Sequence, residues 1–152
     1  MTIVETIRAL FSPRRRLLSR LAETAGDAEL LAANLRRHTE MCSYPTLRAG
    51  LQEVAAAETT HADAIRQLLL QYGMWPKLAA MPPHEGSSNW ERLHNDLSLQ
   101  VKILRALQSQ FSEWSGIDAQ IAERLHESAM AQDRHISQLR DLTLKCDPQA
   151  LD

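Results

Sequence analysis

The chain has 152 residues, with 17 Lys and Arg against 19 Asp and Glu, and is 44% hydrophobic but only 5% aromatic. That length suits one domain with a full core, and a net charge of −2 supplies no global field that would draw the protein to nucleic acid. Five Gly and six Pro are few, and abundant Ala, Leu, Arg, Gln and Glu favour helix throughout.

No apolar run reaches membrane length, and the first residues lack the charged and apolar regions of a signal peptide. Cys42 and Cys146 form neither a CxxC pair nor a zinc-type spacing. The expectation is a cytoplasmic protein with reduced thiols and no membrane span.

Residues 2–11 place Ile3, Ile7, Leu10 and Phe11 on one side of a short amphipathic helix. Ser12-Pro13 restarts the chain, since Ser as an N-cap and Pro at the first helical position are both start signals. Arg14, Arg15 and Arg16 then read as a solvated helix face rather than a membrane-binding leader. From Pro13 to about Met41 the inward stripe is Leu17, Leu21, Thr24, Ala28, Leu31, Leu35, His38 and Cys42, with a possible loosening at Gly26. Glu23, Asp27 and Glu29 fall on its flanks, and His38 reads as a partner for the helix dipole.

Ser43-Tyr44-Pro45 is a connection short enough to make the next helix antiparallel. Between Thr46 and Tyr72 the inward positions are Leu47, Leu51, Val54, Glu58, His61, Ile65, Leu68 and Tyr72. The stripe is apolar at both ends and polar at its middle, and a Glu there needs a partner because burying it alone is expensive. Gly73 and Pro76 stop this helix. The segment to Ser88 contains Pro82, Pro83, His84 and Gly86 and has no clear period. Roughly fifteen extended residues span about 50 Å, whereas a helix of about 28 residues is about 42 Å long. The segment can therefore cross the length of a bundle and leave the second and third helices parallel.

Ser88-Asn-Trp-Glu91 is a capping box. The third stripe reads Trp90, Leu93, Leu97, Val101 (or Gln100), Leu104, Leu107 and Phe111. Trp114-Ser115-Gly116 ends that helix, and Ser115 and Asp118 point to the next cap. The fourth stripe is Ile121, Leu125, Ser128, Gln132, His135, Leu139 and Leu142, again polar at its midpoint. Glu-Arg-Leu-His recurs at 91–94 and 123–126, but Glu91 serves its cap and the Glu123/His126 pair falls off the inward stripe. Trp75, Trp90 and Trp114 sit near helix ends, where an indole caps a core or meets a second subunit. There is no Gly-rich phosphate loop or nucleophile elbow, and an inward His61 does not suit a phosphotransfer bundle.

Glu58-x-x-His61 and Gln132-x-x-His135 thus place two polar pairs of equal spacing at the middle of two helices. In this the chain resembles the ferritin-like superfamily, in particular its rubrerythrin-type bundles, over residues 14–145. The resemblance implies a single all-α domain over 1–152: a short N-terminal helix in 1–12, a four-helix bundle over 13–145, and a long crossover between the second and third helices. It also implies a di-iron site drawing one Glu from the first helix, Glu-x-x-His from the second, one Glu from the third and Glu-x-x-His from the fourth. Glu58 and His61 match the second-helix motif, and His135 the fourth-helix histidine; Gln132 stands where its Glu belongs. Thr24, Ala25 or Ala28 takes the first-helix position, and Gln100 or Val101 the third. Three of the four carboxylates are missing, which leaves too few anionic oxygens for two irons.

The expectation is therefore a degenerate metal centre in a binding or structural module that forms a homo-oligomer, a dimer in the simplest case. It would hold no cofactor, or a single divalent ion (iron or zinc) on Glu58, His61, His135 and Gln132. One alternative is a metal-dependent, rubrerythrin-like oxidoreductase or peroxide-handling enzyme. In it a shift of helical register lets Glu23, Asp27 or Glu29 and Asp96 supply the missing oxygens. A second is an adaptor that acts through its surface.

Overall fold

A computed structural model describes residues 2–4, 12–80 and 85–146. Four long α-helices carry the chain: α1 (Pro13–Met41), α2 (Pro45–Leu70), α3 (Asn89–Trp114) and α4 (Ala119–Leu144). There is no strand among the described residues. Ile3 and Val4 are helical, but most of the short helix expected over 2–11 lies outside the described residues, as do Pro82, Pro83 and His84.

The helix ends follow from local chemistry. Ser12 Oγ accepts the Arg15 N–H at 3.2 Å, ahead of Pro13 at the first helical position. Ser88 Oγ accepts the Glu91 N–H at 3.1 Å, and Glu91 Oε2 reaches back to the Ser87 N–H at 2.6 Å. The reciprocal bond of the capping box is thus made one residue earlier than the motif specifies. Asp118, not Ser115, caps α4, with Oδ1 accepting from the N–H groups of Gln120 and Ile121. Gly73 follows α2 with φ of +71°, and the Met74 N–H closes back on the Leu69 carbonyl at 3.3 Å.

Packing of the helices is set by their buried faces. α1 packs on α2 and α3, and α4 packs on α3 and α2. Side-chain pairs give the directions. Thr24 meets Gln110 and His38 meets Asp96, so α1 and α3 are antiparallel. Glu58 meets Gln132 and Gly50 lies against Leu142, so α2 and α4 are antiparallel as well.

The expected stripe of α1 is buried along its whole length, from Leu17 to Cys42. That of α2 is buried from Leu51 to Leu68, with Leu47 and Tyr72 partly covered. The stripe expected for α3 needs correction. Leu93 and Leu107 are buried as expected, and Gln100 rather than Val101 faces the core, but Leu97, Leu104 and Phe111 are only partly buried, while Asp96, Ile103, Gln110 and Trp114 are turned inward. The helix is turned by one residue, about 100°, from the most apolar choice. Each of its inward polar residues has a buried partner: Asp96 on His38, Gln100 on Glu58, Gln110 on Thr24.

Gly26 does not loosen α1, which runs straight through it. The segment after α2 lies across the helix at this point. Lys77 donates its N–H to the Ala22 carbonyl at 2.8 Å, and a Cβ on Gly26 would stand 1.6 Å from the Lys77 carbonyl oxygen. Only a residue without a side chain permits that approach. Among the described residues, no helix is long and apolar enough to cross a membrane.

Candidate metal centre

At mid-height the core turns polar around one carboxylate. Glu58 on α2 is fully buried, and its Oε1 accepts from Gln100 Nε2 of α3 at 2.7 Å and Gln132 Nε2 of α4 at 3.2 Å. His135 Nδ1, also on α4, lies 2.9 Å from the same oxygen. His61, one turn along α2, holds Nδ1 at 3.5 Å from Glu58 Oε2, an ion-pair distance rather than a hydrogen bond. Three helices therefore converge on this residue.

Burial alone would raise the Glu58 pKa. Hydrogen bonds from His135 and Gln100 and the nearby His61 imidazole outweigh it, holding the carboxyl at about 2. Glu58 is consequently ionised at neutral pH, and His135 Nδ1 must be the donor in its bond to Oε1.

The centre does not suit two irons. It has a single carboxylate, and Gln100 and Gln132 turn amide donors, not anionic oxygens, toward it. One divalent ion fits better. Glu58 Oε2, Gln100 Oε1, Gln132 Oε1 and both ring nitrogens of His61 are buried without a hydrogen-bond partner. The three oxygens are acceptors, as a cation requires, and a neutral imidazole adds one lone pair on one of its two nitrogens. Among the described residues no three His, Cys, Asp or Glu side chains form a ready-made ligand set.

The structure thus brings together Glu58, His61, Gln132 and His135, the four residues singled out from the sequence, and of Gln100 and Val101, the two candidates on the third helix, it is Gln100 that joins them. The outlying carboxylates are elsewhere. Glu23 pairs with Lys77 at 2.9 Å, Asp27 with Lys102 at 2.7 Å, and Glu29 stands 4.0 Å from Arg66. Asp96 is buried, but its Oδ2 meets His38 Nδ1 at 2.5 Å.

That second pair was not expected. His38 is not simply a dipole partner at a helix end: it is buried, with Asp96 on Nδ1 and Glu85 Oε1 at 3.4 Å from Nε2. Arg37 Nε holds the same Glu85 oxygen at 2.5 Å. Burial pushes the Asp96 carboxyl above its usual range, against the lowering effects of the His38 bond and charge, the Arg37 charge and the Asn34 bond. A signal for the pair existed, because His38 falls on the inward stripe of α1 and Asp96 lies one helical turn before Gln100.

Compared with known proteins, the chain matches no family model and no curated protein sequence. Of the three indoles, Trp114 is fully buried as a core cap, Trp90 stacks on His94 at 5.1 Å, and Trp75 is exposed.

Proposed function

We propose that this protein is a ferritin-like bundle with a degenerate metal centre, working as a binding or structural module rather than a ferroxidase. The observation that carries this reading is the pair of amides on Glu58. Gln100 and Gln132 occupy the facing positions on α3 and α4 and donate N–H groups to Oε1. Where a dinuclear centre needs bridging oxygens, this core offers donors that satisfy the one carboxylate it has. The centre holds no cofactor or a single divalent ion, iron or zinc, using Glu58 Oε2, Gln132 Oε1 and the two imidazoles; such an ion would tie α2 to α4.

In this reading residues 71–88 are the long crossover of the ferritin-like bundle. The Lys77 bond to Ala22 and the Glu85 contact with Arg37 support it, being spaced along α1 in the direction the crossover must climb. Trp75 and Leu78, 72% and 96% exposed, offer apolar surface for a homodimer. Free Cys42 and Cys146 suit a cytoplasmic setting.

The test is anaerobic Fe(II) loading of protein purified without chelator, followed by metal analysis and oxygen uptake. We expect at most one iron per chain and no oxygen consumption beyond that of free iron. Two irons per chain with turnover of oxygen or peroxide would replace this reading with the oxidoreductase. Light scattering on the same sample tests the dimer.

A further inference from the structure

A cleft of about 400 Å³ opens between α2 and α4 directly over the polar centre, and both His61 and His135 line it. Its walls include Ala57, Ala64 and Ala131, whose short side chains leave the space beside the imidazoles unfilled. The cleft thus opens beside two rings that flank a buried carboxylate, with His135 partly exposed and the nitrogens of His61 buried.

The two rings flank the two oxygens of Glu58, His135 hydrogen-bonded and His61 not. His135 gives its Nδ1–H to Glu58 Oε1, which leaves Nε2 as the free ring nitrogen. His61 turns Nδ1 toward Glu58 Oε2 at 3.5 Å, and its Nε2 is buried with no partner. At His135 a carboxylate bonded to Nδ1 fixes the tautomer whose Nε2 lone pair is free, raises its basicity and orients the ring for a metal, and at His61 the same carboxylate stands beside Nδ1 without a hydrogen bond. Ring spacing is slightly wider than a shared ion sets. An imidazole bound through Nε2 sets its ring centre about 3 Å from the ion, so two rings sharing one ion stand about 5–6 Å apart. The centroids of His61 and His135 are 6.1 Å apart, edge to face.

We propose that the α2–α4 cleft binds one divalent ion of the zinc class through Nε2 of His61 and Nε2 of His135, with water completing a tetrahedral shell. Glu58 is a positioning residue here and not a ligand: it holds both imidazoles from behind. Gln100 and Gln132 hold Glu58 in turn, so their amide donors acquire a purpose that a core-bound ion would not give them. This inference rests on the single-carboxylate reading of the centre. It moves the ion from the bundle interior to the cleft, in reach of solvent and of any partner group that enters it.

The experiment is Zn²⁺ titration of the chelator-treated full chain by calorimetry, with ¹⁵N NMR of the histidine rings on the wild-type protein. One Zn²⁺ per chain is expected, with both Nε2 resonances moving to metal-bound positions and both Nδ1 remaining protonated. His61→Ala and His135→Ala should each weaken binding at least 100-fold, and Glu58→Gln about 10- to 100-fold with the stoichiometry kept. Ala131→Leu fills the cleft without touching the polar centre and should weaken binding at least tenfold. Circular dichroism confirms that each variant is folded. No saturable binding to the wild type, or coordination through Nδ1 with binding abolished in Glu58→Gln, overturns the proposal. Iron loading separates the two readings. Two irons per chain would remove the single-carboxylate centre itself, whereas absence of both zinc and iron binding would remove only the cleft site.

Discussion

Glu58 and Asp96 are equally hidden, at 0% and 1% exposure, yet their acidities move in opposite directions. Burial penalises each charge, so the difference lies in the donors. Glu58 Oε1 collects two amide N–H groups and an imidazole, while a second imidazole stands beside Oε2. Asp96 has His38 on Oδ2 and a lesser contribution from Asn34, and its other cation, Arg37, turns to Glu85 instead. Donors favour the charge of one buried carboxylate, whereas burial prevails over the donors at the other. The contrast separates a site that holds charge for a purpose from a pair that pins α1 to α3.

The largest test of that contrast is Glu58→Ala. It strands the donors of Gln100, Gln132 and His135 and leaves a cavity among three helices. A loss of about 3–5 kcal/mol is expected in urea unfolding. A loss under about 1 kcal/mol would mean that water serves these donors equally well.

Glu58→Gln comes next, since it keeps the shape and removes only the charge. A drop from the ordinary 4.5 to about 2 corresponds to roughly 3 kcal/mol in favour of the carboxylate. About 2–3 kcal/mol should therefore be lost at pH 7. The pH dependence has a definite sign. A depressed folded-state pKa gives stability that is present above 4.5 and lost as pH falls through about 2. The gap between wild type and variant should close over that window. A gap that stays constant from pH 5 to pH 2 would show that the carboxylate is not the source.

How far this contrast could be read from the sequence differs between its halves. Glu58 and His61 interrupt an otherwise apolar stripe, so periodicity alone places them inward, and the equal spacing at Gln132 and His135 points to their meeting. The helix boundaries were legible for the same kind of reason, because Ser12-Pro13, Gly73 and Ser88 act locally. The face of α3 was not. Two stripes one residue apart compete there, and the more apolar one, through Leu97, Leu104 and Phe111, loses. Asp96, Gln100 and Gln110 find their partners on helices far away in sequence. Hydrophobic period ranks faces by transfer cost and is blind to hydrogen bonds that form only once the helices have met. The demand on Gly26 is hidden likewise, since it comes from the backbone of Lys77.

Asp96→Asn should behave unlike Glu58→Gln. A carboxyl with a raised folded-state pKa gives stability that is fully present below its ordinary 3.8 and lost as pH rises through the raised value. The amide removes that loss while still accepting from His38 Nδ1. Thermal or urea unfolding should change by less than about 1 kcal/mol at pH 7, toward higher stability, and negligibly below pH 3.8. A cost as large as that of Glu58→Gln would erase the distinction between the two sites.

The smallest expected effect belongs to Glu85→Gln. Glu85 and Arg37 are 41% and 39% exposed, so water already screens the pair. An exposed ion pair of this kind contributes about 0.2–1 kcal/mol, and less in high salt. Glu85 also stands 3.4 Å from His38 Nε2 and so competes with Asp96 for the same imidazole. Burial argues that Asp96 is the partner that matters, since an interaction shielded from solvent is stronger than one at the surface. The prediction is a loss of about 0.5 kcal/mol that shrinks when unfolding is repeated in 1 M salt. A loss of about 2 kcal/mol that is indifferent to salt would make Glu85 the principal partner of His38. The buried pair would then be a three-sided site spanning α1, α3 and the connecting segment, and Asp96 would no longer be the simple counterexample to Glu58.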